Sequence, residues 1–401
     1  MPVQLKTLPY WMDAALPRFA PLDSNERADV VVVGGSITGL TAAYLLLRAG
    51  RSVVILERRR LGESDTGHTS AHVTMVTDLP MTDLIKQFGR ERAQAVWEAG
   101  RASMAQIEQI VREERIACDL ARVPGYLHAA VDRAADDADW LREEARLAAD
   151  LGFEAAFVEH VPLVESVGIR FDGQARIHPR RYLAGLARAI AKLGGSIYEG
   201  SDATDFFDDP RSVSANGYRV SCGDVVIATH TPLVGNQRLM SAVLFQAKLT
   251  LYTTYIVAGR VEKDALPDVL LWDTSDPYRY YRLESQRDFD LVIYGGEDHK
   301  TGLEPATAKR FGRLEAGLRM LAPNVEITHR WSGQVIETHD GLPYIGQQVV
   351  HQFAGTGYSG NGMTFGTLAG TMACDGVLGR PNPWTDLFDV DRKTIGSPES
   401  Q

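Results

Sequence analysis

The chain has 401 residues, of which 44% are hydrophobic and 23% are charged, and its formal net charge is −10. This length predicts two domains, and the composition is typical of a globular protein. The acidic balance argues against a nucleic-acid partner. The three cysteines are far apart and include no C-x-x-C pair, so no metal site is predicted and a reducing compartment is favoured.

The N-terminal region argues against secretion and against a membrane span. The first 25 residues contain Asp13 and Asp23 and no apolar core of a signal peptide. Residues 30–47 carry no charge, but three glycines interrupt this run and its first part is β-branched valine. The predicted location is therefore the cytoplasm.

A strand, a glycine turn, a helix and a second strand are predicted over residues 30–57. Four consecutive valines at 30–33 indicate a strand buried on both faces, as in the middle of a parallel sheet. Apolar residues then recur at helical spacing as far as Leu47, and Gly50 ends the helix. The stretch SVVIL at 52–56 predicts the second strand, so the unit is typical of dinucleotide binding.

The glycine turn differs from the G-x-G-x-x-G fingerprint at its second glycine. It reads Gly34, Gly35, Ser36, Ile37, Thr38 and Gly39. Gly34 and Gly39 occupy the positions needed for the tight turn and for helix–strand packing. Ser36 adds only a small hydroxyl, which can donate to a phosphate, and the helix N-terminus still attracts an anion. We therefore predict that the turn binds a pyrophosphate.

Two further features favour FAD over NADP and NAD. Glu57 ends the second strand about 20 residues after Gly34, where a carboxylate binds the adenosine ribose and would repel a 2′-phosphate. A second glycine-rich loop at 355–362, GTGYSGNG, opens the last predicted helix. The N-terminus of that helix suits a flavin ring, which gathers negative charge at N1 and the C2 carbonyl on reduction.

The remaining segments alternate between helical and β patterns. Helices are predicted at 83–114, 134–151, 181–193, 304–321 and 362–378, a buried strand at 225–229, and antiparallel strands within 248–258 and 278–294. Because cofactor motifs lie at both ends and in the middle, the domains are predicted to be discontinuous. The FAD-binding domain is assigned to 1–83, 176–244 and 329–401, and the substrate domain to 84–175 and 245–328.

Several long stretches resemble the D-amino-acid oxidase (DAO) family of FAD oxidoreductases, which includes glycine, sarcosine and gamma-glutamylputrescine oxidases. The matching stretches are VVVVGGSITGLTAAYLL, VVILERRRLGESDTGHTSAH, ARIHPRRYLAGLARAI, VVIATHTPL, RWSGQVIETHDGLPYIG and FAGTGYSGNGMTFGTLAG. The stretches GGEDHKTG and GRPNPWTDLFDVDRK resemble relatives that are fused to a C-terminal Rieske domain. We expect that Rieske part to be missing here, because the chain ends at Gln401.

The resemblance implies an α/β fold in which a Rossmann-like FAD-binding domain of the GR2/DAO type carries an α+β substrate domain on a mostly antiparallel sheet. It also implies roles for individual positions, from the pyrophosphate turn and the ribose carboxylate to the backbone of Ala203 at the adenine and two segments beside the flavin ring. The implied cofactor residues are Gly34, Gly35, Ser36, Ile37, Thr38, Gly39, Glu57, Arg58, Thr66, His68, Thr69, Ser70, Ala71, Ala203, Thr229, Gly333, Gly357, Tyr358, Ser359, Gly360, Gly362, Met363 and Thr364.

His68 raises the question of how FAD is attached. Some relatives carry at the matching position a histidine that is linked covalently to the flavin 8α carbon. We expect noncovalent FAD, with a covalent bond at His68 as the alternative.

Four side chains are the candidates for substrate chemistry. Tyr280 and Arg282 alternate onto one face of a predicted strand, where an arginine and a tyrosine above the flavin would bind a substrate carboxylate. His72 and His299 are weaker candidates. No lysine stands near Ile293, where sarcosine-oxidase-like members carry the lysine that promotes reaction with oxygen, so the electron acceptor is either oxygen or another molecule.

The resemblance implies an FAD-dependent oxidation of an amine or amino acid, with hydride transfer to flavin N5 and hydrolysis of the imine. Two alternatives remain for the function. In the first, the protein would be a flavin-binding subunit or degenerate member that acts in an assembly. In the second, it would be a dehydrogenase that uses an acceptor other than oxygen. An NAD-dependent dehydrogenase would require a colourless purified protein.

Overall fold

The computed structural model describes residues 5–130, 133–230, 248–303 and 307–392. The helices in these ranges are α1 (Ile37–Arg48), α2 (Asp65–His68), α3 (Met81–Phe88), α4 (Arg90–Glu113), α5 (Ala134–Asp150), α6 (Pro179–Lys192), α7 (Thr307–Leu321), α8 (Gly362–Val377) and α9 (Thr385–Phe388). The strands are β1 (Glu26–Arg27), β2 (Val30–Val33), β3 (Val53–Leu56), β4 (His72–Val73), β5 (Ala121–His128), β6 (Ala155–Val158), β7 (Gly168–Arg176), β8 (Ser196–Tyr198), β9 (Ala203–Asp208), β10 (Arg211–Ala215), β11 (Tyr218–Ser221), β12 (Asp224–Ile227), β13 (Leu249–Val261), β14 (Leu270–Asp273), β15 (Arg279–Ser285), β16 (Asp290–Lys300), β17 (Glu326–Thr338), β18 (Tyr344–Val349) and β19 (Gln352–Thr356).

The first sheet is mostly parallel and has the order β18-β19-β12-β2-β3-β8. Strand β2 lies in its interior and pairs in parallel with β3 and β12, and only β18 runs antiparallel to its neighbour. All four valines of β2 are buried, as expected for a parallel strand covered on both faces. Helices α1 and α8 pack against each other beside this sheet.

The second sheet is mostly antiparallel and has the order β17-β13-β16-β15-β14-β5-β7-β4, with β6 paired to β7. Its long strands β13, β16 and β17 pair over most of their length. Side chains alternate between the two faces of each strand. One face packs Tyr255, Val257 and Val292 against Leu314 and Leu318 of α7, so the opposite face is left to line the site described below.

A third sheet, with the order β1-β11-β10-β9, completes the α/β architecture that the sequence predicts. The first sheet draws its strands from residues 30–56, 196–227 and 344–356, and the second from 72–73, 121–176 and 249–338. Both sheets are thus assembled from separate stretches of chain. The division into domains at the stated boundaries stays a prediction.

Two details of the helices differ from or add to the sequence-based expectation. The helix predicted over 83–114 is two helices, α3 and α4, because Gly89 between them has a φ of +83° that ends the first. Over the described ranges, no helix combines the length and the apolar character needed to span a bilayer.

Candidate functional site

A cavity of about 640 Å³ lies between the first sheet and the second. One end is lined by Glu57, Arg58 and Ala203, beyond the carboxyl end of β3. The other end is lined by Tyr280 of β15 and Asp298 of β16. A site at the carboxyl ends of parallel strands is the usual position for a nucleotide in such a sheet.

The glycine turn between β2 and α1 leaves no room for side chains at its two ends. Gly34 has a φ of +106°, and a Cβ there would lie 2.6 Å from the carbonyl oxygen of Ala228. A Cβ on Gly39 would lie 2.0 Å from the carbonyl oxygen of Gly34. Glycine at both positions therefore permits the tight turn and the close packing of α1 on the strand.

The hydroxyl of Ser36 is used within the protein. It donates to the carbonyl oxygen of Ala228 at 3.1 Å, and Ser36 is the N-cap residue of α1. A hydroxyl has a single hydrogen, which is directed to Ala228 in this geometry, and the donation from Ser36 to a phosphate stays a prediction. The start of α1 still borders the cavity, because Ser36, Ile37 and Thr38 line it, and its backbone N–H groups and dipole favour an anion.

We expect Ser36→Gly to retain FAD and Ser36→Val to lose it. Glycine is tolerated at an N-cap at a cost of a few tenths of a kcal/mol. Valine removes the bond to Ala228 and places a branched carbon at the start of α1, where it crowds a pyrophosphate. The flavin-to-protein absorbance ratio of the two purified variants measures the difference. Full FAD content in Ser36→Val would show that the phosphate binds elsewhere.

Glu57 is held at the edge of the cavity by backbone donors. Its carboxylate accepts hydrogen bonds from the N–H groups of Gly35 at 2.7 Å and Arg59 at 2.8 Å. Gly35 itself lies behind the cavity wall, and a Cβ there would meet Leu61 at 2.1 Å. The carboxylate is thereby fixed beside Arg58, and the role predicted for it, binding a ribose, remains a prediction.

The segment from His68 to Ala71 is held in place from behind. Trp331 donates to the carbonyl of His68 at 2.9 Å, and Trp11 donates to the carbonyl of Thr69 at 2.8 Å. Ala71 adopts a φ of +59°, and these hydrogen bonds offset the strain of that backbone conformation. His68, Thr69 and Ser70 face the cavity with Thr66, whereas Ala71 does not line it.

His72 lines the cavity as a neutral imidazole. Its Nε2 lies 3.2 Å from the carbonyl oxygen of Tyr281, and its Nδ1 lies 3.0 Å from the hydroxyl of Ser70. Burial, assisted by the charge of Arg282, lowers the pKa of His72 to about 3. Its ring packs edge-on against Tyr280 at 5.6 Å and forms part of the cavity wall. Because its pKa is low, the ring is uncharged at physiological pH.

The role predicted for Arg282 requires correction. Its side chain is fully buried and forms an ion pair with the buried carboxylate of Glu284. It also donates to the carbonyls of Ser70 at 3.1 Å, Ala71 at 2.8 Å and Ile177 at 3.0 Å. Arg282 leaves the same face of β15 as Tyr280, but the His68–Ala71 segment covers it. It therefore supports that segment from outside the cavity, where no substrate carboxylate can reach it.

The role predicted for His299 is also corrected. Its ring stacks on Tyr255 at 5.6 Å, on the face of the second sheet that packs against α7. The neighbouring residue Asp298 points the other way and lines the cavity. The alternation of side chains along β16 therefore favours Asp298 over His299 as the group that meets a ligand.

The loop before α8 closes the cavity next to the glycine turn. The hydroxyl of Tyr358 lies 3.0 Å from that of Thr38, and the N–H of Gly360 donates to Asp78 at 2.9 Å. Gly357 and Thr364 do not line the cavity. The hydroxyl of Thr364 donates to the carbonyl of Thr74. The structure places these predicted cofactor residues around one cavity: Gly34, Ser36, Ile37, Thr38, Glu57, Arg58, Thr66, His68, Thr69, Ser70, Ala203, Thr229, Gly333, Tyr358, Ser359, Gly360, Gly362 and Met363.

Four side chains at the Tyr280 end were missed in the sequence. Asp78, Thr254, Tyr278 and Asp298 line the cavity there. Tyr278 could have been found, because it alternates with Tyr280 in the stretch singled out, and Asp298 because it adjoins His299. Asp78 and Thr254 have no local signal, since they reach the cavity only through long-range packing.

Several carboxyl groups lie close together at this end and raise one another's pKa. Burial, and then the charge of Asp78, raise the pKa of Asp298 to about 6, against a hydrogen bond from Thr254. Burial, together with Asp78 and Asp298, raises the pKa of Glu337 to about 7. Among the described residues, no group of three or more His, Cys, Asp or Glu side chains is arranged to hold a metal ion.

The donor set fits an FAD molecule. The glycine turn provides a cradle that a Cβ would fill, α1 presents its N-terminus, and Glu57 is fixed at the far end. The cavity then continues past the His68–Ser70 segment to the aromatic and acidic end, so a long ligand with a ring at one end can be enclosed.

Comparisons with known proteins agree with this geometry. A family model described as "DAO: FAD dependent oxidoreductase" matches residues 29–375. The chain is 27% identical over 391 residues to the putative Rieske 2Fe-2S iron-sulfur protein YhfW of Bacillus subtilis, covering 96% of this chain and 75% of that protein. It is 26% identical over 392 residues to gamma-glutamylputrescine oxidoreductase of Escherichia coli, covering 91% and 88%. The crystal structure of glycine oxidase from Geobacillus kaustophilus superposes with a TM-score of 0.76 at 21% identity, covering 93% and 100%.

Proposed function

The chain belongs to the DAO family of FAD-dependent oxidoreductases, and on that premise we propose that it oxidises the carbon–nitrogen bond of an amine or amino acid. The observation that carries the proposal is the single cavity that joins the glycine turn to an aromatic and acidic end. The names of the gamma-glutamylputrescine oxidoreductase and of the glycine oxidase support a nitrogen-bearing substrate.

The residues present fit the cofactor. Gly34, Ile37 and Thr38 would hold the pyrophosphate at the start of α1, Glu57 would hold the ribose, and the His68–Ser70 segment would lie beside the flavin ring. When bound, FAD supplies through its N5 the acceptor for the hydride from the substrate α-carbon, and the imine product is then hydrolysed.

The chain itself contributes positioning and the exclusion of water. Tyr280 is nearly buried, and its hydroxyl lies 3.2 Å from that of Thr254, so its ring is fixed as one wall beside the neutral His72. Burial raises the pKa of Tyr280, so it stays protonated. Such a site orients a neutral amine without an added acid or base, which is the part of catalysis that positioning supplies.

Anaerobic addition of amines and amino acids to the purified protein tests the proposal. We expect at least one of them to bleach the flavin absorption band and to yield the matching carbonyl compound. Admission of air then distinguishes an oxidase, which reoxidises rapidly, from a dehydrogenase that needs another acceptor. A flavin that no amine or amino acid reduces would contradict the proposal and favour a flavin-binding subunit.

We also propose that FAD is bound noncovalently, with His68 beside it. His68 Nδ1 lies 3.1 Å from the carbonyl oxygen of Ser64, and His68 makes no hydrogen bond or ion pair with a carboxylate of the described ranges. No carboxylate of the described ranges therefore activates the His68 ring for a bond to the flavin methyl group. Acid precipitation should release all the FAD and leave a colourless pellet. A yellow pellet that becomes colourless in His68→Ala would establish the covalent alternative.

A further inference from the structure

The end of the cavity opposite the glycine turn is built from acidic and aromatic side chains. We define this acidic chamber by Asp78, Thr254, Tyr278, Tyr280 and Asp298, all of which line the cavity. The rings of Tyr278 and Tyr280 lie 5.9 Å apart. Aromatic faces beside carboxylates form a surface that attracts a cation, through both ring electrostatics and direct charge.

Asp78 is directed into the chamber by the loop before α8. Its carboxylate accepts a hydrogen bond from the N–H of Gly360 at 2.9 Å. A Cβ on Gly360 would lie 2.8 Å from both carboxylate oxygens and 3.0 Å from the hydroxyl of Tyr278. The absence of a side chain on Gly360 thus lets the carboxylate and the tyrosine hydroxyl converge. No lysine or arginine of the described ranges forms an ion pair with Asp78.

Asp298 faces the same space from β16 and is incompletely satisfied. Its Oδ1 is buried and has no hydrogen-bond partner among the described residues. The charge of Arg310 acts on Asp298, and Arg310 donates to the carbonyls of Glu297 and Asp298. A buried carboxylate oxygen without a donor is costly, so a ligand that brings a donor with a positive charge would be stabilised there.

The cationic side chains needed for a substrate carboxylate are missing from the described cavity lining. Its one arginine, Arg58, lies beside Glu57 at the opposite end, and no lysine lines it. His72, in the wall of the site, is neutral because burial lowers its pKa. A carboxylate next to the reacting amine would therefore meet Asp78 and Asp298 with no opposite charge, and like charges brought together disfavour binding.

We propose that the acidic chamber selects an amine substrate that carries a second positive charge, such as a diamine, over an α-amino acid. The inference rests on the proposed oxidation of amines and narrows its substrate class. Asp78 and Asp298 bind the second cation, and Tyr278 and Tyr280 pack against the chain that joins the two nitrogens.

Three probes of similar size or chemistry test the selection by anaerobic reduction of the flavin in the holoenzyme. Putrescine has two amines, n-pentylamine is its near-isostere with one, and glycine has a carboxylate beside its amine. We expect the second-order rate constant of reduction for putrescine to exceed that for n-pentylamine by about ten- to hundredfold, the effect of a hydrogen bond to a charged group. Glycine should react more slowly than either.

Charge removal identifies the residues. Asp298→Asn and Asp78→Asn should lower the putrescine constant more than the n-pentylamine constant, so that the ratio of the two constants falls towards one. The exposed Asp288→Asn removes the same charge from the surface and should change neither. FAD content, measured for each variant, separates a loss of selection from a loss of folding.

The pH dependence of the ratio gives a second readout. Both probes must lose a proton from the reacting amine, so the ratio of their constants reports the chamber alone. Asp298 is flanked by Asp78, Glu297, Glu337 and Arg310, and its pKa of about 6 lies above the ordinary range. Burial raises the pKa of Asp78 as well. As pH falls through about 6 the carboxylate is protonated, so the preference for putrescine should decrease.

The outcomes separate this inference from the proposed function. Reduction by glycine or n-pentylamine as fast as by putrescine would overturn the inference and leave amine oxidation standing. A preference for putrescine that survives in both Asp variants would also overturn it. A flavin that no amine or amino acid reduces would overturn both.

Discussion

Replacing Arg282 by methionine is expected to lower the free energy of unfolding by about 3–5 kcal/mol, because it takes from a buried carboxylate its closest partner and leaves only Arg176 at 4.0 Å. Glu284 is fully buried, and Arg282 is its closest cation. The same change removes donors from the carbonyls of Ser70 and Ala71, which hold the segment beside the predicted flavin ring. We therefore expect a loss of FAD together with the loss of stability, measured by denaturant unfolding and flavin content.

A double variant provides the control for Arg282. Removing both charges, as in Arg282→Met with Glu284→Leu, should recover part of the stability, since two apolar side chains can replace a buried ion pair. FAD content should recover less, because the carbonyls of Ser70 and Ala71 still lack donors. An Arg282→Met protein of normal stability that binds carboxylate-bearing substrates poorly would restore the role first predicted for this residue.

Gly39→Ala is expected to abolish FAD binding and to destabilise the protein by about 3 kcal/mol or more, the upper range for atoms inserted into a packed core. The new Cβ would lie 2.0 Å from the carbonyl oxygen of Gly34 and 3.1 Å from Val32. Both neighbours belong to β2 and its turn, so α1 must move away from the strand. Unfolding curves and flavin content measure the two effects.

The matched control is Gly312→Ala in α7. Gly312 is an exposed helical residue, and a Cβ there would meet nothing within 4 Å. The same substitution should therefore stabilise the protein by about 0.5–1 kcal/mol through the higher helix propensity of alanine. A Gly39→Ala protein that keeps FAD and normal stability would show that the close contact of α1 with the turn is not required.

The parts of the site that depend on local sequence could be predicted. The turn from Gly34 to Gly39 and the carboxylate of Glu57 belong to one strand–helix–strand unit, whose periodicity and spacing fix its geometry. The loop before α8 could also be predicted from local sequence, because its glycines directly precede a helical pattern. The resemblance then added positions such as Ala203 and His68, which line the same cavity.

The substrate end depends on long-range packing and could be predicted only in part. Strand alternation correctly places Tyr280 and Arg282 on one face, but it does not show that the distant His68–Ala71 segment covers Arg282. The choice between Asp298 and His299 depends on which face of β16 packs against α7. Asp78 comes from a loop without periodicity, so only the folded structure brings it to the cavity.

The absorption spectrum of the purified protein, recorded before and after denaturation, tests most directly the claim that this cavity holds FAD. We expect a yellow protein with the bands of oxidised flavin, one FAD per chain, and a spectrum that shifts to that of free FAD when the protein unfolds. A colourless protein that takes up no FAD on incubation, or one that binds NAD instead, would contradict the account.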